Sequence, residues 1–138
     1  MPNVSGSFVG RTNSQSMVSL KDVPNHELSL VEIGGPQTAS DPLWAGSTVL
    51  YWGMSDLVSG SGAQTGYFMN RHANGDTDRG TFEAKITSAA GVVTLDGTWK
   101  FAGGTGAFSG LSGGGTFKGR MTSPTEVETR REGSYQLG

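Results

Sequence analysis

The sequence contains no cysteine, no long hydrophobic run and no excess of charge of either sign. Without cysteine the chain can form no disulfide, no thiolate metal site and no thiol nucleophile. Its ten Lys and Arg residues are balanced by twelve Asp and Glu residues without a basic stripe, so nucleic acid is not an expected partner. No apolar run approaches the ~20 residues of a membrane span, and the first residues lack a signal-peptide pattern. We therefore expect a cytoplasmic protein without a membrane or nucleic-acid partner.

Helical patterns are also missing, and glycine is abundant instead. The 23 glycines among 138 residues are about one in six, against a usual ~7%. Each would cost a helix interior about 1 kcal/mol relative to alanine, and together they interrupt every i, i+3, i+4 apolar pattern. Aromatic residues still make up 9% of the chain, which suffices for a modest core and argues against disorder. The composition predicts one all-β domain over residues 1–138.

Short segments of alternating apolar and polar residues, separated by turn residues, indicate about eight β-strands. The predicted segments are Val4–Met17, Glu27–Ile33, Ser47–Trp52 (or as far as Val58), Gln64–His72, Thr81–Thr87, Val92–Phe101, Thr116–Thr122 and Glu126–Leu137. The second segment is expected to stop at Gly34-Gly35-Pro36. Eight sequential antiparallel strands most simply close into an up-and-down barrel, because closure removes the exposed edges. A β-sandwich is the alternative.

The densest run of glycine, Gly103–Gly115, is predicted to be a shaped loop at one barrel end. It contains Phe108 and Leu111, and flexible linkers seldom contain such apolar anchors. Its glycine spacing differs from the dinucleotide pattern G-x-G-x-x-G, and Lys118 does not follow a glycine as in a P-loop. A nucleotide site is therefore not expected.

Few residues suit a metal site or a nucleophilic catalytic site. The two histidines, His26 and His72, have no metal-ligand spacing. The segment Asn74–Gly80 has oxygen ligands at alternate positions but lacks the Gly and Glu of a calcium loop, so a polar hairpin turn is the better interpretation. No G-x-S-x-G motif is present. We expect neither a metal nor a cofactor.

On the last predicted strand, one face is charged or polar throughout and the other contains Arg131. Arg131 alternates with Val127, Tyr135 and Leu137, whereas Glu and Arg residues occupy most of the positions between them. Successive side chains of a strand point to opposite faces. Arg131 and Tyr135 are therefore predicted to face the barrel interior.

The same argument assigns charged residues of two other strands to the interior. His26 and Glu32 alternate with two leucines on the second strand, and Arg71 alternates with Tyr67 on the fourth. A charge that faces an apolar lumen is costly unless it is paired, so these residues either pair with one another, as Glu32 with Arg131 would, or bind a polar group of a ligand. Three aromatic residues are expected to line the resulting cavity: Trp52, Trp99 and Phe82.

The segment Trp99–Gly119 resembles the G-T-G-x-[FY]-x-G-[IL]-x-G-x-G-[TF] signature of small bacterial proteins with the allene-oxide-cyclase-like barrel, and plant dirigent proteins have a related version. The similarity extends through His26–Glu32, Gly66-Tyr67 and Glu132–Tyr135. The resemblance implies an eight-stranded antiparallel barrel of the calycin type, with an apolar ligand in its lumen and cyclisation or coupling chemistry that needs no cofactor. Arg131 departs from the pattern, which has an aromatic residue there, and this exchange would suit the lumen to anions.

These features predict a cofactor-independent isomerase, cyclase or lyase that acts on a hydrophobic or aromatic small molecule. Glu32 is the predicted acid/base, since a buried carboxylate is a stronger base than one in water. Arg131 and Arg71 would hold an anionic or carbonyl oxygen, and Tyr135 would donate a hydrogen bond to the substrate. The predicted substrate-binding residues are Tyr67, Arg71, Trp52, Trp99, Phe82 and His26.

Two alternatives from other functional classes stay open. A carrier or sensor would bind a lipophilic ligand in the same cavity without a reaction. A structural interaction protein would have a barrel filled by side chains, with Glu32 and Arg131 paired. Adjacent aromatic residues such as Tyr51 and Trp52 cannot both be buried inside a small barrel, so a homo-oligomer is expected.

Overall fold

The computed structural model describes residues 2–138, which form an antiparallel β-sheet closed on itself. Its strands are β1 (Asn3–Ser19), β2 (His26–Ala39), β3 (Thr48–Val58), β4 (Ser61–Arg71), β5 (Thr77–Ala89), β6 (Val92–Gly104), β7 (Ser112–Ser123) and β8 (Glu126–Gln136). One 3₁₀ turn, Gly106–Phe108, lies between β6 and β7, and none of these residues form a helix long and apolar enough to cross a membrane. Each strand pairs with its sequence neighbours and β1 also pairs with β8. The predicted eight-stranded up-and-down barrel is confirmed, and the sandwich alternative is wrong.

Three hairpins have two-residue turns, and the turns after β3 and after β5 help to set the register of the sheet. Ser59-Gly60 joins β3 to β4 and Ala90-Gly91 joins β5 to β6, and all four residues have positive φ. This is the backbone of a type I′ turn, whose twist matches that of the flanking strands. With the register set, buried and exposed side chains alternate along the strands. On β5, Phe82, Ala84 and Ile86 are buried, and the residues between them are exposed.

The strands extend further than the sequence predicts at two places. β2 does not stop at Gly34-Gly35-Pro36 but continues to Ala39. The Gln37 N–H donates to the backbone oxygen of Ser47, on the side of β3. The nitrogen of the preceding residue, Pro36, therefore points toward β1, and no residue of β1 pairs with Pro36. The N–H that proline lacks thus breaks no hydrogen bond between the strands. The segment Gly103–Gly115 is not one loop, because its ends belong to β6 and β7 and only residues 105–111 connect them.

Three loops, residues 40–47, 72–76 and 105–111, meet at one end of the barrel, which we call the closed end. Trp44 has no solvent exposure, and its ring centre lies 5.5 Å from that of Phe108. The other end, the hairpin end, is formed by the remaining turns. Four apolar side chains there are only partly buried: Val31, Leu57, Val93 and Met121. The closed end is thus the more tightly packed.

Candidate functional site

A network of buried polar side chains lies beneath the closed end, with Asp78 at its centre. Asp78 has no solvent exposure, and its carboxylate accepts hydrogen bonds from Trp44 Nε1 (2.9 Å), Asn70 Nδ2 (2.8 Å) and His72 Nε2 (2.7 Å). A buried carboxylate is stable only with donors of this kind. Since Trp44 and His72 belong to two of the closed-end loops, the network holds those loops on the barrel.

The network continues through Gln37 to Arg131. Gln37 Nε2 donates to Ser47 Oγ (2.9 Å) and to Asn70 Oδ1 (3.3 Å), and Gln37 Oε1 accepts from Arg131 Nε at 2.8 Å. The two terminal nitrogens of Arg131 are shielded from solvent and have no hydrogen-bond partner among residues 2–138. The guanidinium carbon lies 5.0 Å from the centre of the Trp99 ring, within the range of a cation–π contact. The Nε atom of Arg131 is thus hydrogen-bonded, whereas its two terminal nitrogens are not bonded to any of residues 2–138.

Arg131 lines a cavity of about 60 Å³ inside the barrel. A second buried polar atom without a partner, Gln64 Oε1, belongs to the same wall, and Gln64 Nε2 donates to Ser55 Oγ at 2.8 Å. The cavity therefore offers N–H donors at Arg131 and a carbonyl acceptor at Gln64. The rest of the wall is mostly aromatic and aliphatic: Phe8, Val49, Tyr51, Phe68, Phe82, Leu95, Trp99 and Phe117, with Asn70 and Thr129.

Arg131 is a cation in this apolar surrounding. Burial lowers the pKa of Arg131 to about 10, and the negative charge of Asp78 opposes that shift. The guanidinium therefore keeps its proton at neutral pH. Burying a cation whose donors are not all satisfied is costly, so Arg131 is the residue of the barrel interior best suited to accept an anionic group.

Four of the predicted site residues face the interior, as the alternation of their strands predicts. Arg131, Trp99 and Phe82 line the cavity. Tyr135 is buried at the closed end, where its hydroxyl donates to Asp41. Burial and then the hydrogen bond to that carboxylate raise the pKa of Tyr135 to about 12. Tyr135 thus holds the loop of residues 40–47 and does not contribute to the cavity wall.

Glu32, Trp52 and Tyr67 lie on the outer surface, so the prediction that they face the lumen is wrong. They are opposite one another on β2, β3 and β4, and Trp52 Nε1 donates to Glu32 Oε1 at 2.9 Å. Ile33, the next residue of β2, is the one that packs in the core. Glu32 therefore does not pair with Arg131, and the cavity lacks the predicted carboxylate base.

His26 and Arg71 also point outward, against the prediction. Arg71 is exposed at the end of β4, and His26 shares the outer face of β2 with Leu28 and Leu30, which are 40% and 51% exposed. The errors for His26 and Glu32 share one physical cause. β2 has apolar residues on both faces, so its alternation alone does not show which face is buried.

We expect His26 to titrate above its ordinary pKa. Its Nδ1 lies 2.8 Å from Asp22 Oδ1 and its Nε2 lies 2.6 Å from Asp56 Oδ1, and hydrogen bonds to Asp22 and then Asp56 raise the pKa of His26 from 6.5. Because the folded value is the higher one, protonated His26 stabilises the fold below pH 6.5, and this contribution is lost as the pH rises through the folded pKa. In an NMR titration of the ring protons, Asp56→Asn should lower the pKa of His26, and an unchanged curve would contradict the assignment.

Four residues of the polar network were not predicted from the sequence, namely Gln37, Trp44, Asn70 and Asp78, and neither was Gln64 in the cavity wall. A signal was present for Asn70 and Asp78, which occupy the inward positions of β4 and β5 beside buried aromatic residues. The sequence places Asp78 in a polar turn, because Asn74–Gly80 is rich in turn residues. In the structure the turn ends earlier, since β5 begins at Thr77.

No three His, Asp or Glu side chains of residues 2–138 converge as the ligands of one metal ion would. Comparison of the sequence with models of known protein families and with curated proteins gave no match. The resemblance to the allene-oxide-cyclase-like barrels stays a prediction.

Proposed function

We propose that the protein binds, inside the barrel, a small apolar molecule with an anionic head group, and that it catalyses no reaction on it. The observation that best supports this is the buried guanidinium of Arg131: its two terminal nitrogens have no hydrogen-bond partner among residues 2–138, and Arg131 lines an apolar cavity. A carboxylate can accept from two such nitrogens at once, which gives both strength and orientation. The hydrogen bond from Arg131 Nε to Gln37 fixes the guanidinium in the plane that such a contact requires.

The wall of the cavity would hold the apolar part of the ligand. Trp99 lies against the guanidinium, and Phe68, Phe82 and Phe117 form much of the remaining wall. Burial of apolar surface contributes roughly 25 cal/mol per Å², independent of the ligand's detailed shape. Gln64 Oε1 would accept from a ligand hydroxyl or amide, if the ligand has one.

The size of the cavity restricts the ligand. About 60 Å³ is far below the ~300–1,000 Å³ of sites for drug-sized molecules. A carboxylate with a short aliphatic body is therefore the ligand that fits without rearrangement. A longer ligand requires partly buried side chains at the hairpin end, such as Leu57 and Met121, to move apart. Affinity should consequently depend on chain length.

Binding is better supported than catalysis. A cofactor-independent isomerase, cyclase or lyase needs a general base within reach of its substrate, and Glu32 lies on the outer surface. Asp78 is buried, but it already accepts from three donors and does not line the cavity. Tyr51 does line the cavity, and burial raises its pKa, which keeps its hydroxyl protonated.

A series of straight-chain carboxylates from acetate to octanoate tests this proposal. Titrations followed by tryptophan fluorescence and by calorimetry should show saturable binding, with the matched primary amides at least tenfold weaker because they lack the charge. Arg131→Met preserves an apolar side chain of similar length and removes the charged donors. We expect it to weaken carboxylate binding roughly tenfold to a hundredfold, since hydrogen bonds to charged groups contribute about 1.5–3 kcal/mol.

Arg130 provides the matched control, because it is the same residue type one position earlier and is exposed on the outer face. Arg130→Met should bind the carboxylates as the unaltered protein does. Equal affinity of Arg131→Met, amides that bind as tightly as carboxylates, or a series in which no carboxylate binds at millimolar concentration would each overturn the proposal.

A further inference from the structure

The second half of β1 is a strand edge that pairs on one side only. β8 follows β1 as far as Arg11, and Thr12 N–H still donates to Thr125 O at 2.9 Å. Beyond this point, residues 14–19 pair with β2 alone, and residues 13–19 are all exposed. β8 closes the barrel along Asn3–Arg11, whereas the rest of β1 has one edge without a neighbouring strand.

The bonding pattern between β1 and β2 identifies the groups on that edge. Leu20 N–H donates to His26 O, so in this register the even residues bond to β2. Bonded and non-bonded pairs alternate in an antiparallel ladder, and Gln15, Met17 and Ser19 therefore direct their N–H and C=O groups away from β2. No hydrogen bond from these groups to residues 2–138 is present beyond the ladder.

This edge lacks the usual protection against pairing. Natural edge strands are commonly interrupted by a bulge, by proline or by charged side chains, lysine above all. Residues 13–19 include no charged residue and no proline, and Met17 and Val18 are 56% and 61% exposed. The one bulge of β1, between Thr12 and Ser14, lies where the edge begins. The exposed stretch is thus suited to accept another strand.

We propose that two copies of this chain pair antiparallel through the edge, about a two-fold axis at Met17. In this register Met17 lies opposite the partner's Met17, and Gln15 lies opposite the partner's Ser19. The three outward-facing residues then form about six intermolecular hydrogen bonds. On the outer face, Val18 lies opposite the partner's Ser16, and the exposed Leu28 beside Val18 extends the apolar contact.

A second copy is the occupant that the edge itself specifies. The outward groups are placed symmetrically about Met17, so a two-fold rotation brings every donor onto an acceptor, as an interface between identical surfaces requires. The absence of charge along residues 13–19 removes the repulsion that two identical charged edges would experience. It also leaves nothing that would select a charged peptide from another protein.

Cysteine cross-linking tests the register, because the natural chain has no cysteine. In Met17→Cys the two introduced residues would face each other with Cα atoms about 5.5 Å apart, within disulfide range. Copper–phenanthroline oxidation at micromolar protein should therefore convert most of Met17→Cys to a covalent dimer. The matched variant Val18→Cys should stay monomeric on a denaturing gel, since its partner position is Ser16. Equal cross-linking of both variants would overturn the register.

Sedimentation velocity tests the dimer itself. We expect a species of twice the 14.4 kDa chain mass, and Met17→Lys should weaken its association at least tenfold because two lysines would then oppose each other. Val92→Lys, at an exposed position in the β5–β6 hairpin, is the control and should leave the dimer unchanged. A monomer at all concentrations up to about 1 mM would overturn the proposal. So would a dimer that is lost in Met54→Lys, on the outer face of β3, but retained in Met17→Lys.

Discussion

Asp78→Ala is expected to lower the free energy of unfolding by about 3–5 kcal/mol, since removing one partner of a buried charged network leaves the others unsatisfied. Trp44 Nε1, Asn70 Nδ2 and His72 Nε2 all donate to this carboxylate. Their residues are at most 8% exposed, so each donor would lose its partner in a place shielded from solvent. Two closed-end loops lose their attachment to the barrel wall at the same time. Urea denaturation followed by circular dichroism measures the change.

Asp96→Ala is the control for this prediction, because Asp96 is an exposed carboxylate on the outer face of β6. Exposed substitutions of this kind usually change stability by no more than about 0.5 kcal/mol. The indole N–H resonance of Trp44 should also shift in Asp78→Ala and stay in place in Asp96→Ala. Equal stability of the two variants would show that the network does not hold the closed end.

Gly115→Ala is expected to destabilise the barrel by more than ~3 kcal/mol or to prevent its closure, because the added methyl group has no space. A Cβ at this position would lie 1.9 Å from the backbone oxygen of Glu132 and 2.6 Å from Gly133 Cα. Gly115 and Gly133 are directly opposite on β7 and β8, and a Cβ on Gly133 would meet the Trp99 ring at 2.7 Å. This glycine pair therefore makes room for the indole against which Arg131 lies.

Gly119→Ala, on the same strand, separates this steric effect from the general cost of replacing glycine. Its Cβ would meet Thr129 Oγ1 at 3.1 Å and the Glu128 oxygen at 3.3 Å, contacts that small movements relieve. We expect a change within about 1 kcal/mol, measured by thermal and urea unfolding of both variants. If Gly115→Ala were as stable as Gly119→Ala, the close approach of β7 and β8 would not be needed for the fold.

The fold was predictable because its determinants are local. Strand alternation depends on neighbouring residues, and the turns at Ser59-Gly60 and Ala90-Gly91 depend on two residues each. Phe108 and Leu111 were identified as anchors from their position within a glycine-rich run, and both are buried at the closed end. The extent of β2 was not predictable in this way, because continuation through Pro36 depends on which neighbouring strand its nitrogen faces.

The two central charged residues of the predicted site show where local reasoning succeeds and where it fails. Arg131 was assigned correctly to the interior, because the other face of β8 is charged or polar throughout and only one choice was reasonable. Glu32 was assigned wrongly, because β2 has apolar residues on both faces. Closure of the barrel buried Ile33 and left Glu32 to bind Trp52 outside.

By itself, the sequence determined an all-β barrel, the aromatic lining of its interior at Phe82 and Trp99, and the inward position of Arg131. Only the tertiary structure decided that Arg131 bonds to Gln37 and that its two terminal nitrogens find no partner within residues 2–138, since Gln37 and Arg131 are 94 residues apart. Hydrogen bonds across a closed barrel depend on register and on strand order, and neither is encoded in the pattern of one strand. For the same reason, the unpaired edge of β1 follows only from the tertiary structure, in which β8 begins at Glu126, opposite Arg11.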